Sequence, residues 1–272
     1  MTHPILHRMA SRHPEERRAA CLDARGDPAA VLFAEALVGL LGDPVKAVVR
    51  AASDALVEIS RGADSGVEGA LLGALHSDEP TRRWGAAFTA ARVAQPNLRL
   101  LPALVEALGC TDGDVRWAAA RIIVDVGHGH GEVLPLLVGL VRGGENPVVR
   151  RMATYALREL APDRPEAAAV LLEAATDRDV QVRRAATTAM ASLLGPPPQI
   201  GRHLLGALVS DPDAATRRLA ALALGELGSE DPRAVPAETR QALATASEHS
   251  EDIDLQRAVR LALQRLEPGP AH

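Results

Sequence analysis

Aromatic side chains are almost missing from this sequence, which holds two tryptophans, two phenylalanines and one tyrosine in 272 residues. A core without them must be built from alanine, leucine and valine, which suits helices packed closely on helices. Lysine is rarer still: Lys46 is the single copy, so chemistry that needs two lysines is excluded and the basic residues are nearly all arginine. The formal charge is -5 and arginine is interleaved with Asp and Glu throughout, which leaves no electrostatic driver for nucleic acid. Cys21 and Cys110 stand far apart with no C-x-x-C pair, so a reduced, cytoplasmic setting is expected rather than a disulfide framework. No apolar run approaches the roughly 18 to 20 residues that span a membrane, and polar breaks near the start replace the apolar segment of a signal peptide.

What is present is a period. Arg50, Arg83, Arg116, Arg151, Arg184 and Arg218 are separated by 33, 33, 35, 33 and 34 residues, and each opens a phrase of small residues, cleanest at Val49 to Leu56 and Arg217 to Leu224. Spacing of this kind marks a stacked-repeat array. Ahead of each arginine lies an apolar phrase, such as Leu37 to Leu41 or Leu104 to Leu108, whose positions i, i+1 and i+4 form one buried helical stripe. The turn between them is rich in Asp, Pro and Gly. An Asp or Asn there supplies an N-cap oxygen, and a following proline takes the first helical position, where its missing N–H is not needed. The pattern predicts second helices over roughly 44–60, 80–94, 113–127, 147–161, 179–194, 213–228 and 251–266. Glu16 to Cys21 reads as a degraded copy of the phrase, as expected of a terminal repeat, and residues 267–272 as a disordered tail.

The pattern D-x-x-x-V-R-x-x-A-A-x-A-L, following an L-x-x-L-L helix, resembles the HEAT repeat, in particular bacterial HEAT-like units also found in relatives of phycobilisome lyases. The resemblance spans about 28–266. It implies an all-α fold, a right-handed α-solenoid of about seven HEAT-like helical hairpins, read as a single domain over 1–272 with 1–27 as a degenerate N-terminal cap. It also implies a ladder between repeats that links Asp43, Asp78, Asp112, Asp177 and Asp211 with Arg50, Arg83, Arg116, Arg184 and Arg218. The periodic arginines are then structural; the alternative is that they bind an anion.

Function falls to the positions that vary. The residues one and four places after each arginine are expected to leave the buried stripe and face the concave surface, and they include both tryptophans and the tyrosine. Trp84, Trp117, Met152 and Tyr155 are therefore expected to floor a groove, with Glu58 and Glu159 as an acidic rim that favours a basic partner. Two competing readings are that the aromatics fill gaps between helices and that the glutamates form a solvated face. The expected occupant is a protein or peptide segment, with a small apolar ligand as second choice. His128, His130 and Glu132 could ligate a metal, but the glycines around them fix no geometry, so no metal or cofactor is expected. There is no G-x-S-x-G turn, Cys–His pair or phosphate loop, so no catalytic residue is named. The chain reads as a non-catalytic binding or scaffolding module. The alternative is a HEAT-like enzyme, such as an alkylpurine DNA glycosylase, or an accessory protein of a biosynthetic pathway. The glycosylase subgroup resembles this chain at Asn146 to Arg151 but sets an aspartate one turn from a tryptophan; here Phe88 follows Trp84 and Arg121 follows Trp117.

Overall fold

The computed structural model describes residues 3–62 and 66–267, and every regular element among them is helical. The all-α solenoid class that the resemblance implies holds. The hairpins gather into two compact units, Met1–His130 and Gly131–His272. In the first, α1 (Pro4–Met9) pairs with α2 (Pro14–Ala24), α3 (Ala34–Gly39) with α4 (Lys46–Ile59), α5 (Val67–Ala74) with α6 (Pro80–Val93), and α7 (Leu101–Ala107) with α8 (Gly113–Gly129). In the second, α9 (Val133–Gly143) pairs with α10 (Pro147–Leu160), α11 (Pro165–Ala174) with α12 (Val180–Met190), α13 (Pro198–Ser210) with α14 (Ala214–Glu230), and α15 (Thr239–Glu248) with α16 (Ile253–Leu266). Residues 4–24, expected as a degenerate cap, form a complete hairpin. The expected tail lies, beyond Glu267, outside the described residues. No described helix is long and apolar enough to cross a membrane.

Within each unit the second helices follow one another side by side, α2 to α8 and then α10 to α16. Their buried positions repeat when counted from the N-cap residue: α4 buries Val48, Ala51, Ala52, Ala55, Leu56 and Ile59, and α12 buries Val182, Ala185, Ala186, Ala189 and Met190. These are the third, sixth, seventh, tenth, eleventh and fourteenth residues after the cap, a stripe of 3.6-residue period. Burying a side chain such as Leu56 contributes about 2 kcal/mol. The small residues at these places also let backbones approach. Gly85 fills the sixth position of α6, where a Cβ would sit 2.8 Å from the Leu41 carbonyl oxygen.

The helix starts are set by side chains. Asp112, Asn146, Asp179, Asp213 and Asp252 each accept a hydrogen bond from a backbone N–H two or three residues on. Two residues before several caps stands a second acceptor. Asp43, Asp177 and Asp211 accept from the N–H of Val45, Asp179 and Asp213, and Ser11, Ser77 and Ser250 do the same for His13, Glu79 and Asp252.

Here the expected arginine register needs correcting. The arginine four residues after the cap is the structural one, and that set is Arg17, Arg83, Arg116, Arg150, Arg183 and Arg217. All six donate from Nη1 to the carbonyl oxygen six residues back. Gln256 keeps the same bond in the last hairpin, 2.7 Å to the Ser250 carbonyl. In α4 this place belongs to Val49, and Arg50 lies one residue further on, at the surface. The step of 35 between Arg116 and Arg151 was thus a slip from one register to the next.

The ladder changes partners accordingly. Arg17 pairs with Asp43, Arg150 with Asp177 at 2.7 and 2.8 Å, and Arg183 with Asp211, each arginine reaching the carboxylate of the following hairpin. Arg83 meets Cys110 at that position in sequence and pairs instead with Glu106. Asp112, expected in the ladder, is paired with Lys46, whose hydrogen bond holds its carboxyl below the ordinary range against the opposing effect of burial. Arg184 and Arg218, from the neighbouring register, pair with Asp213 and Asp254.

Candidate functional site

The fifth residue after each cap opens the ridge of the second helix that the buried stripe leaves outside. The ninth and thirteenth residues, each one turn on, continue it. Among the described residues, six of the eight hairpins place arginine at the fifth position: Arg18, Arg50, Arg151, Arg184, Arg218 and Arg257. The other two place tryptophan there, Trp84 on α6 and Trp117 on the adjacent α8.

In the first unit, Trp84 is half-buried and its ring stacks at a tilt on Phe88, with centroids 5.4 Å apart. The Arg92 guanidinium also lies over the Phe88 ring, 5.6 Å from its centre. Arg92 is itself pinned to α4 through 2.8 Å bonds to Ser53 and Asp54, and buried Thr89 donates to Ser53 at 2.8 Å. Three successive turns of α6 therefore present indole, phenyl and guanidinium as one braced strip. Such cation–π and aromatic contacts are worth about 0.5 to 1.5 kcal/mol each. Trp117 is 49% exposed, and Arg121, one turn beyond it, is exposed too.

The remaining predicted residues stand as follows. Met152 is 1% exposed and belongs to the core, since it occupies the sixth position of α10, the one filled by Ala51 in α4 and Ala185 in α12. It cannot floor a groove. Ala87 and Ala120, counted as surface positions in the slipped register, are likewise buried. Tyr155 is half-buried on the ridge of α10, with Arg158 over its ring at 5.8 Å. Glu58 is exposed and pairs with Arg61 at 2.6 Å, while Glu159 is exposed and pairs with Arg158, so each carries its own counter-charge. Trp84, Trp117 and Glu58 lie in the first unit and Tyr155 and Glu159 in the second. Phe88 and Arg121 were noted only for standing where an aspartate would, and Arg92 was missed. Counting from the cap rather than from the arginine would have found them, because only the cap keeps register across all eight hairpins.

Burial pushes the Cys21 thiol up to about 11, which keeps it protonated and unreactive. Among the described residues no three His, Cys, Asp or Glu side chains converge as metal ligands. His128 sits in the last turn of α8 and His130 just past its end.

Residues 67–158, 101–191 and 170–264 each match the family model described as HEAT repeats. No curated protein matches. Among solved structures, the YibA protein of Escherichia coli is 19% identical with a TM-score of 0.58, covering 97% of this chain and 92% of that one. An engineered protein is 23% identical with a TM-score of 0.46, covering 96% of this chain and 77% of that one. At such identities the first likeness speaks for the fold alone.

Proposed function

Because this chain belongs to the HEAT repeat family, whose fold leaves function to its variable positions, we propose that it is a non-catalytic binding module that takes a protein segment on the second-helix ridge of its first unit. One observation carries this reading: tryptophan replaces arginine at the fifth position in two neighbouring hairpins, and one of the indoles is half exposed. Filling a gap between helices requires no residue that leaves half its surface in water. Indoles offer large contact area at low entropic cost and dominate many binding sites.

The reading is tested with random nonapeptides displayed on phage and selected on the immobilised full chain. Peptides enriched on the wild type should lose binding to the Trp84→Ala/Trp117→Ala variant while its far-UV circular dichroism is unchanged. Retained binding would place the site elsewhere.

A further inference from the structure

We infer that the segment held on this ridge is acidic, an extended chain with carboxylates ahead of an apolar side chain. The inference rests on the reading above and adds the partner's chemistry. Across α2, α4, α6 and α8 the fifth position reads Arg18, Arg50, Trp84, Trp117, with Arg121 one turn below the last indole. Arg18, Arg50 and Arg121 are exposed, and none makes a hydrogen bond or ion pair among the described residues. The acidic groups of the same ridge are engaged: Asp54 is bound by Arg92 and lies 3.5 Å from Arg25, and Glu58 is bound by Arg61. The other acid of the ridge, Asp125, is exposed near the far end of α8, and the exposed arginines outnumber it three to one. A chain with a net charge of -5 thus turns a surplus of guanidinium outward beside its two tryptophans.

The geometry suits an extended chain laid across the helices. Packed helices are about 8 to 10 Å apart, and an extended backbone advances about 3.3 to 3.6 Å per residue, so each helix crossed takes about three residues. About nine residues cover the row, with carboxylates facing Arg18 and Arg50 and an apolar side chain reaching the indoles. Arginine binds carboxylates through paired N–H donors, and complementary charge of this kind selects partners and speeds encounter.

The same display selection reads this. The enriched nonapeptides should be richer in Asp and Glu than the input, and a synthetic copy with its acids replaced by lysine should not bind. Affinity by fluorescence anisotropy should fall about tenfold in Arg50→Glu/Arg121→Glu and weaken as salt rises. Both arginines are exposed, so circular dichroism should confirm that this variant folds. Enriched peptides that depend on Trp84 and Trp117 but show no acidic bias, or that survive the charge reversal, overturn the inference and leave the binding face standing. Peptides indifferent to both variants, or no enrichment at all, overturn both. Competition by a single-stranded oligonucleotide that needs the same arginines assigns them to phosphate and also overturns the inference.

Discussion

Arg150 is 5% exposed, and a guanidinium so placed is tolerated because four hydrogen bonds hold it, two to Asp177 and two to the carbonyls of Gly144 and Glu145. Removing one member of such a pair leaves the other charge uncompensated. Arg150→Ala should destabilise the chain by about 2 to 3 kcal/mol, discounted from the fully buried case, whereas Arg61→Ala, on an exposed pair, should stay within about 0.5 kcal/mol. Thermal unfolding of the two variants side by side checks this, and equal losses would refute it. The same carboxylates set the acid limit. Burial works against the charge of Asp177, but the bonds from Arg150 and the Asp179 N–H outweigh it and hold the carboxyl low; Asp213 is held low by Arg184 and Thr216. A carboxyl with a lower value folded than unfolded contributes stability above its unfolded value of about 4, and that contribution disappears as pH falls through the folded value. Stability should therefore be level near neutrality and fall below about pH 4, and Asp177→Asn/Asp213→Asn should flatten the fall in denaturant titrations at several pH values. An unchanged slope would mean that these two groups do not control it.

At the scale of the helix, position relative to the cap decides what a side chain does. Met152 and Trp117 were both expected on the groove floor, yet the sixth position is core and the fifth is surface. Met152→Ala should cost about 2 to 4 kcal/mol in stability and leave peptide affinity per folded molecule unchanged, while Trp117→Ala should do the reverse. Chemical denaturation and anisotropy on the same samples separate the two outcomes. The ladder makes a further prediction. Cys110 stands where Asp43, Asp177 and Asp211 serve three other hairpins, and Arg83 turns to Glu106 instead. Glu106→Ala should lower the Tm, and adding Cys110→Asp should restore it; no restoration would show that the equivalence is one of sequence only. The helices and their hairpin order were legible because small apolar residues recur at helical spacing. The rungs were not, because adjacent arginines such as Arg150–Arg151 and Arg183–Arg184 offer two registers one residue apart. In sequence they look alike; only packing turns the first of each pair back to the carbonyl six residues earlier and, in Arg184, sends the second to Asp213.

At the scale of the chain, hairpins that touch chiefly their neighbours make stability a sum of local terms. A defect at Arg150 should then loosen α10, α11 and α12 more than α2 and α4, which hydrogen exchange resolved by mass spectrometry would report as faster exchange confined to the second unit. Uniform acceleration along the chain would contradict this. By itself the sequence determined the helical class and the repeat, since both follow from periodicity and composition, which are properties of the chain read in order. Tertiary structure decided which arginine of a pair goes inside, that Met152 is core, and that Glu58 and Glu159 are matched by their own arginines. Those outcomes depend on distances between side chains on separate turns and helices, which a one-dimensional register off by a single residue, about 100° around a helix, assigns to a different face.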